Sequence, residues 1–217
     1  MRESIKIVSV NVGVVETVNH DNQAHTTGIC KRPVSEPVAV TEMGLEGDAI
    51  VDTKFHGGKD QAVYAYSAED YDWWTEQTDR DYFPGLFGEN LTIRGLPGNL
   101  SIGDRLLIGD VLLESTSARI PCNTLAARMG DSGFGMAFRR AERPGVYFRV
   151  LNPGAVAAED AITLIESGDD RVTVVDLFRF GFSKTGDAAT LRRYLEAPLA
   201  ERVREQVVAA LDVIESA

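Results

Sequence analysis

Apolar and polar residues alternate at a period of two through much of the first three-quarters of the chain, the signature of strands with one face buried. Ile5-Lys6-Ile7-Val8-Ser9-Val10 opens the pattern and predicts a strand over residues 5–11. Further strand-like runs are Val38–Thr41, Ala62–Tyr66, Leu91–Ile93, Leu106–Ile108, Val111–Ser115, Val146–Leu151 and Ile162–Ile165. Clusters of Gly, Pro, Asn and Asp separate them and read as turns. Only Gly109-Asp110 lies between Ile108 and Val111, a two-residue link in which glycine supplies the positive φ of a tight hairpin. Short strands at this spacing predict a mainly β fold, closed or nearly closed into a barrel that protects its edges.

Helical periodicity interrupts this pattern in three places. Ser67 is a capping residue followed by Glu69 and Asp70, with Tyr71 and Trp74 on one face. Thr124–Met129 reads as a short helix closed by Gly130, and Met136–Glu142 as another stopped by Pro144-Gly145. After about residue 170 the period changes for good. Thr173-Val174-Val175-Asp176 looks like a capping box, and Asp187 caps a stripe of Leu191, Tyr194 and Leu195. Pro198 introduces a last helix with Leu199, Val203, Val207, Ala210, Leu211 and Ile214 on one side. The division predicted is a β domain over residues 1–168 and a three-helix module over 169–217. The module is too small to bury much core alone, so its helices are expected to cover the barrel, a neighbouring subunit or a partner.

Composition narrows the classes open to the chain. With 217 residues, 44% hydrophobic and 25% charged, it can bury an ordinary globular core. No apolar run approaches the roughly 20 residues that a membrane-spanning helix needs. Met1-Arg2-Glu3-Ser4 leads directly into the first strand without a signal-peptide pattern, so the expected location is cytoplasmic. Twenty-two basic against 33 acidic residues give a net charge of −11, which repels nucleic acid at long range. Two cysteines, Cys30 and Cys122, are too few for a disulfide framework and are expected as free thiols. His20, His25 and Cys30 lie in a polar loop that lacks the ligand set and spacing of a zinc site.

Cys122 carries the chemical interest. Pro121 biases Ile120 to an extended shape, and the chain then enters a helix at about Asn123, itself a good capping residue. The sulfur therefore sits where helix amides and the positive end of the dipole converge, with Arg119 three residues earlier. Each of these favours thiolate over thiol. A thiolate is both a soft metal ligand and a nucleophile; the plainer alternative is a small buried core residue.

A series of motifs surrounds this segment: Gly44-Leu45-Glu46-Gly47-Asp48, His56-Gly57-Gly58-Lys59-Asp60-Gln61-Ala62-Val63, Phe87-Gly88-Glu89-Asn90-Leu91, Gly103-Asp104, Pro121-Cys122, Gly145-Val146-Tyr147-Phe148-Arg149-Val150-Leu151 and Pro153-Gly154. Individually weak, in this order they resemble the motifs of the MOSC domain family, over about residues 25–166. The three-helix extension resembles that of the bacterial YiiM-like subgroup. Glu159-Asp160 stands where the family usually has Gly-Asp, and Cys30-Lys31-Arg32-Pro33 matches only part of its early Lys-containing segment.

The resemblance implies a MOSC-type β-barrel that binds the molybdenum cofactor, a molybdenum–molybdopterin, with the metal coordinated by one cysteine, here Cys122. Some relatives reduce N-hydroxylated compounds with electrons from a separate reductase. The expected activity is accordingly N–O bond reduction on a small N-hydroxylated substrate. No flavin or nicotinamide fingerprint occurs, so an external flavoprotein or iron–sulfur donor is implied, and a homodimer is allowed. The proton source is open between Glu89 and His56. His56, Gly57 and Gly58 form a turn whose amides can approach an anion, or simply a tight turn. Asp60 and Asn90 suit the polar edges of a pterin or the capping of turns. Lys31, Arg32 and Arg119 are candidates for the cofactor phosphate, or solvated surface charges, and Asn123 is a further candidate contact beside the cysteine. Arg139, Arg140 and Arg143 form a second basic cluster, read as a solvated helix face or a dock for an acidic electron donor. The alternative function is a cofactor carrier, chaperone or sulfur-transfer protein in which Cys122 holds a persulfide or a transient ligand.

Overall fold

A computed structural model describes residues 4–21, 23–53, 56–168 and 172–216. The strands in chain order are β1 (Lys6–Val12), β2 (Glu16–His20), β3 (Gln23–Thr27), β4 (Arg32–Val34), β5 (Val38–Thr41), β6 (Gly44–Leu45), β7 (Val63–Ser67), β8 (Leu91–Arg94), β9 (Arg105–Ile108), β10 (Val111–Ala118), β11 (Val146–Asn152), β12 (Gly154–Val156) and β13 (Thr163–Ile165). The helices are α1 (Ala68–Gln77), α2 (Asn123–Met129), α3 (Phe134–Ala141), α4 (Val174–Ser183), α5 (Ala188–Glu196) and α6 (Glu201–Glu215), with a single 3-10 turn at Lys59–Gln61. None of these helices is long and apolar enough to cross a membrane.

Eight strands share one sheet in the order β13-β9-β10-β11-β7-β8-β1-β4. Its pairs are antiparallel except β7 with β8. A parallel pair needs a long crossover, and α1 provides it. Ser67 starts that helix as expected, its side chain accepting from the amides of Glu69 and Asp70, while Tyr71 and Trp74 turn inward. The hairpin of β9 and β10 pairs Ile108 with Val111 across Gly109, whose φ of 56° is the conformation predicted for the link.

The architecture is sheet-dominated with six α-helices among the described residues, and its ladder does not close into the expected barrel: β13 and β4 stand at its ends. The segment before β13 nevertheless returns to β1, through Ile7 N to Asp160 O at 3.0 Å and Ile162 N to Ile5 O at 2.9 Å. Two small ladders complete the fold, β12-β5-β6 and the hairpin β2-β3. That hairpin occupies what reads as a polar loop. Neither of its faces is consistently apolar, so period-two patterning could not reveal it.

α4 begins with the predicted capping box of Thr173 and Asp176, and α5 with the Asp187 cap. α3 starts at Phe134, ahead of the expected Met136, because Phe134 packs on Trp74 at 5.3 Å between ring centroids. Phe178 of α4, Leu191 of α5 and Val207 of α6 belong to the same buried cluster as Leu106, Leu113 and Phe148 of the sheet. Thr116 O accepts from Ala200 N at 3.1 Å, fastening the start of α6 to β10. The helices therefore cover the sheet of their own chain. The predicted boundary after residue 168 falls at 169–171, which lie outside the described residues. Arg143 of the second basic cluster is not a solvated charge: it pairs with Asp70 and lies 4.6 Å from the Trp73 ring.

Asp104 ties the end of the β region to β9. Fully buried, it accepts from Ser101 N at 2.8 Å, from Ser167 N at 2.8 Å and from Ser167 Oγ at 3.0 Å. Asp104→Ala strands these donors away from water, and urea unfolding is expected to show a loss of about 2–4 kcal/mol. A change below about 0.5 kcal/mol, the level of an ordinary surface substitution, would contradict this role.

Candidate functional site

The site is built where β10 gives way to α2. Ser115, Thr116 and Ser117 are buried along the end of β10, and Arg119 follows with only 4% of its surface exposed. Cys122 has extended backbone, φ −122° and ψ 168°, and is the N-cap of α2; its carbonyl accepts from Leu125 N at 3.0 Å and Ala126 N at 3.3 Å. The cap is thus Cys122 and not Asn123, which becomes the first, exposed residue of the helix.

A buried guanidinium must find partners, and Arg119 finds them on three elements. Its Nη1 donates to Tyr147 Oη at 2.9 Å and to His56 Nδ1 at 2.9 Å, and its Nη2 donates to Cys122 Sγ at 3.5 Å. Arg has no acceptor, so His56 Nδ1 is the accepting nitrogen of this contact. Tyr147 on β11 is paired directly across from Tyr64 on β7, and the two rings lie 4.9 Å apart beneath the guanidinium. Burial pushes the Cys122 thiol up, but the hydrogen bond from His56 and the charge of Arg119 outweigh it and bring the sulfur down to about 6. At neutral pH Cys122 is a thiolate. Burial opposes the Arg119 charge, but its interactions with Tyr147, Cys122 and Tyr64 outweigh it and raise its pKa.

Two cavities share this sulfur. An inner lobe of about 100 Å³ reaches from Cys122 to Lys31, Asp48 and Asn90 and is floored by Thr26–Ile29. An outer lobe of about 400 Å³ opens toward α4 and α6. Asp52, His56, Gln61, Arg119, Cys122, Thr124 and Tyr147 line both.

The structure brings together some of the residues expected at the site and separates others. His56, Gly57, Arg119 and Cys122 are at the cavity as expected. Lys31 lines the inner lobe, but its ammonium is paired with Asp48, and burial depresses it more than Asp48 restores it. Asn90 lines the same lobe with both ends of its amide committed: Oδ1 accepts from Tyr64 N at 3.1 Å and Nδ2 donates to Asp48 Oδ2 at 2.9 Å.

Arg32, Asp60, Glu89, Gly58 and Asn123 line neither lobe. Arg32 points away from its neighbour Lys31, as strand alternation requires, and pairs with Glu16. Asp60 turns to the helices: its carboxylate accepts from Glu201 N at 2.8 Å and pairs with Arg149 at 2.9 Å. Glu89 is fully buried, and one oxygen accepts from Tyr71 Oη at 2.8 Å, Gly85 N at 2.6 Å and Thr92 Oγ1 at 2.7 Å. Burial pushes its carboxyl up, but it braces α1 against β8 and has no face on the cavity.

Asp48, Tyr64, Tyr147 and Thr124 were not singled out from sequence. Asp48 and Tyr147 lie inside motifs quoted above, yet nothing in a single sequence says which motif residues face the cavity. A direct check is alkylation of Cys122 by iodoacetamide across pH. The rate is expected to reach half its plateau near pH 6, and His56→Gln, which removes the largest lowering interaction, is expected to move that midpoint up by about one pH unit or more. A wild-type midpoint at the ordinary thiol value of about 8.5 would refute the thiolate.

Comparison with known proteins agrees with this geometry. The family model "MOSC domain" matches residues 52–163, a span that contains His56, Arg119, Cys122 and Tyr147. YflK of Bacillus subtilis is 33% identical over 205 residues, covering 94% of this chain and 93% of its own length. A protein named "Reductase" from Gibberella moniliformis is 33% identical over 159 residues, 71% of this chain but 28% of that much longer protein. The crystal structure of YiiM from Geobacillus stearothermophilus superposes with a TM-score of 0.78 at 29% identity, covering 95% of this chain and 99% of the other. With a family model over half its length and a relative this similar along almost all of it, the chain belongs to the MOSC domain family.

Proposed function

We propose that this chain holds the molybdenum cofactor through Cys122 and reduces N-hydroxylated compounds, using electrons from a separate flavoprotein or iron–sulfur donor in the cytoplasm. The observation that carries the reading is a thiolate, brought down to about 6, opening on two cavities at once. The residues fit the group on three counts. A thiolate is a soft, anionic donor suited to ligating a transition metal. The two lobes together fall in the range of cofactor pockets, roughly 300–1,000 Å³. Arg119 Nε is buried without a hydrogen-bond partner among the described residues, leaving a donor for a group not of the chain.

In this reading Cys122 holds the metal, Arg119 neutralises the sulfur, and Tyr64 and Tyr147 fix the guanidinium from below. The inner lobe, with the main chain of Thr26–Ile29 and Gly57 on its walls, seats the pterin. When bound, the cofactor supplies the two-electron change needed to break the N–O bond: R–NHOH plus two electrons and two protons gives R–NH2 and water. His56, which lines both lobes, is our assignment for the group that holds and passes a proton at the reacting oxygen; Glu89, turned into the core, is not. A low-pKa thiolate also suits a carrier or sulfur-transfer protein, because a persulfide forms on the same kind of sulfur.

One assay separates these readings. The protein, made in a host that synthesises the cofactor, is mixed with a flavoprotein reductase and benzamidoxime, and molybdenum and benzamidine are measured. Stoichiometric molybdenum and turnover are expected in wild type, with turnover lost and less molybdenum retained on purification in Cys122→Ala. Stoichiometric molybdenum with no amidine formed would replace the reductase with the carrier.

A further inference from the structure

Of the described residues that line both lobes, His56, Cys122 and Tyr147 are hydrogen-bonded through Arg119. Gln61 lines both lobes with them, and also the groove that opens from His56 to the start of α6. It is half-buried, and its carboxamide makes no hydrogen bond with any described residue. A glutamine amide that reaches a cavity in this state keeps an acceptor and two donors for whatever enters.

The backbone that carries this amide is held on both sides. Gln61 ends the 3-10 turn Lys59–Gln61, its own N–H donating to Gly58 O at 3.1 Å. Asp60 before it accepts at its carbonyl from Thr116 Oγ1 at 2.6 Å, and its carboxylate holds Glu201 N and Arg149. Ala62 after it is buried, and β7 begins at Val63. The turn keeps the Cα in place, so only the side-chain torsions remain to be ordered when a ligand binds.

N-hydroxylated compounds differ in what else the carbon bearing the N–O nitrogen carries. In an amidoxime it carries an amino group, a donor; in a hydroxylamino heterocycle it carries a ring nitrogen, an acceptor. A carboxamide answers either one, through Oε1 or through Nε2, because both stand on one planar group. Thr124, the other neutral aliphatic side chain common to the two lobes, has a single hydroxyl and no such fork.

We propose that Gln61 is a specificity-determining residue: its carboxamide binds the second nitrogen of an N-hydroxylated amidine and so turns the N–O bond toward Cys122. The inference rests on the reductase reading and names the substrate class within it, compounds with a further nitrogen on the reacting carbon. A group placed to hydrogen-bond a substrate nitrogen selects against the analogue that lacks it, because the analogue leaves the amide unpaired.

The test compares benzamidoxime with benzaldoxime, in which hydrogen replaces the amino group and the rest of the molecule is the same. Each takes two electrons and two protons from the same flavoprotein donor and loses water, giving benzamidine or the imine of benzaldehyde. Holoprotein is expected to favour benzamidoxime by about tenfold or more in kcat/KM. In Gln61→Met, unbranched and of similar length, the preference should fall to about twofold or less, with molybdenum per chain as in wild type, and Gln61→Leu should do the same. A second readout is independent of turnover: calorimetry on holoprotein without donor should show the same preference in Kd, and its loss in both variants. Equal values for the two oximes in wild type, or a preference that survives in both variants, would overturn the assignment. So would loss of molybdenum in the variants, because Gln61 would then hold the cofactor. If the wild type turns over neither oxime, the reductase reading fails, and the calorimetric preference alone decides whether Gln61 reads the second nitrogen.

Discussion

A single buried cation sets the terms for the rest of the site. Arg119 is almost wholly out of water, and an unpaired ion in that position would cost several kcal/mol. Its compensation comes from one sulfur, one imidazole and two phenol-bearing strands, and none of these is sequence-adjacent to all the others. Strand pairing of β7 with β11 puts Tyr64 and Tyr147 underneath it, the cap of α2 puts Cys122 beside it, and the turn before the 3-10 segment brings His56 across. The thiolate and the guanidinium support each other: the positive charge, after the hydrogen bond from His56, helps bring the sulfur down, and the sulfur in turn favours the charge on the arginine.

The same arrangement links the sheet to the helices. His56 and Asp60 lie four residues apart on one turn, the first facing the sulfur and the second holding the start of α6. Arg149 continues that link, pairing with Asp60 and Glu114 and donating to Leu199 O at 3.0 Å. The C-terminal helices therefore meet the cavity wall through these hydrogen bonds and through Lys184 and Arg202, which line the outer lobe.

Much of this was legible in the sequence. Period-two runs located the main strands, and the Ser67, Thr173 and Asp187 caps located three helix starts, because each is a local property of a few residues. Cys122 and Arg119 were legible for the same reason: the Pro121 bend and the helix end put them together. Positions whose meaning depends on which way a side chain turns were not. Glu89 and Asn90 are neighbours, yet one enters the core beside Tyr71 and the other lines the cavity. Lys31 and Arg32 diverge likewise. Asp60 sits in a motif that marks the site and serves the helices instead. The β2–β3 hairpin carried no apolar face to betray it, and closure of the sheet depends on long-range register that a strand pattern does not contain.

The central claim, that a charged Cys122 sulfur is the ligand on which the site is organised, is tested most directly by X-ray absorption at the molybdenum edge on holoprotein. The account predicts a sulfur shell with one ligand fewer in Cys122→Ala than in wild type, at equal cofactor loading achieved by reconstitution. An identical sulfur shell in the two proteins would contradict it.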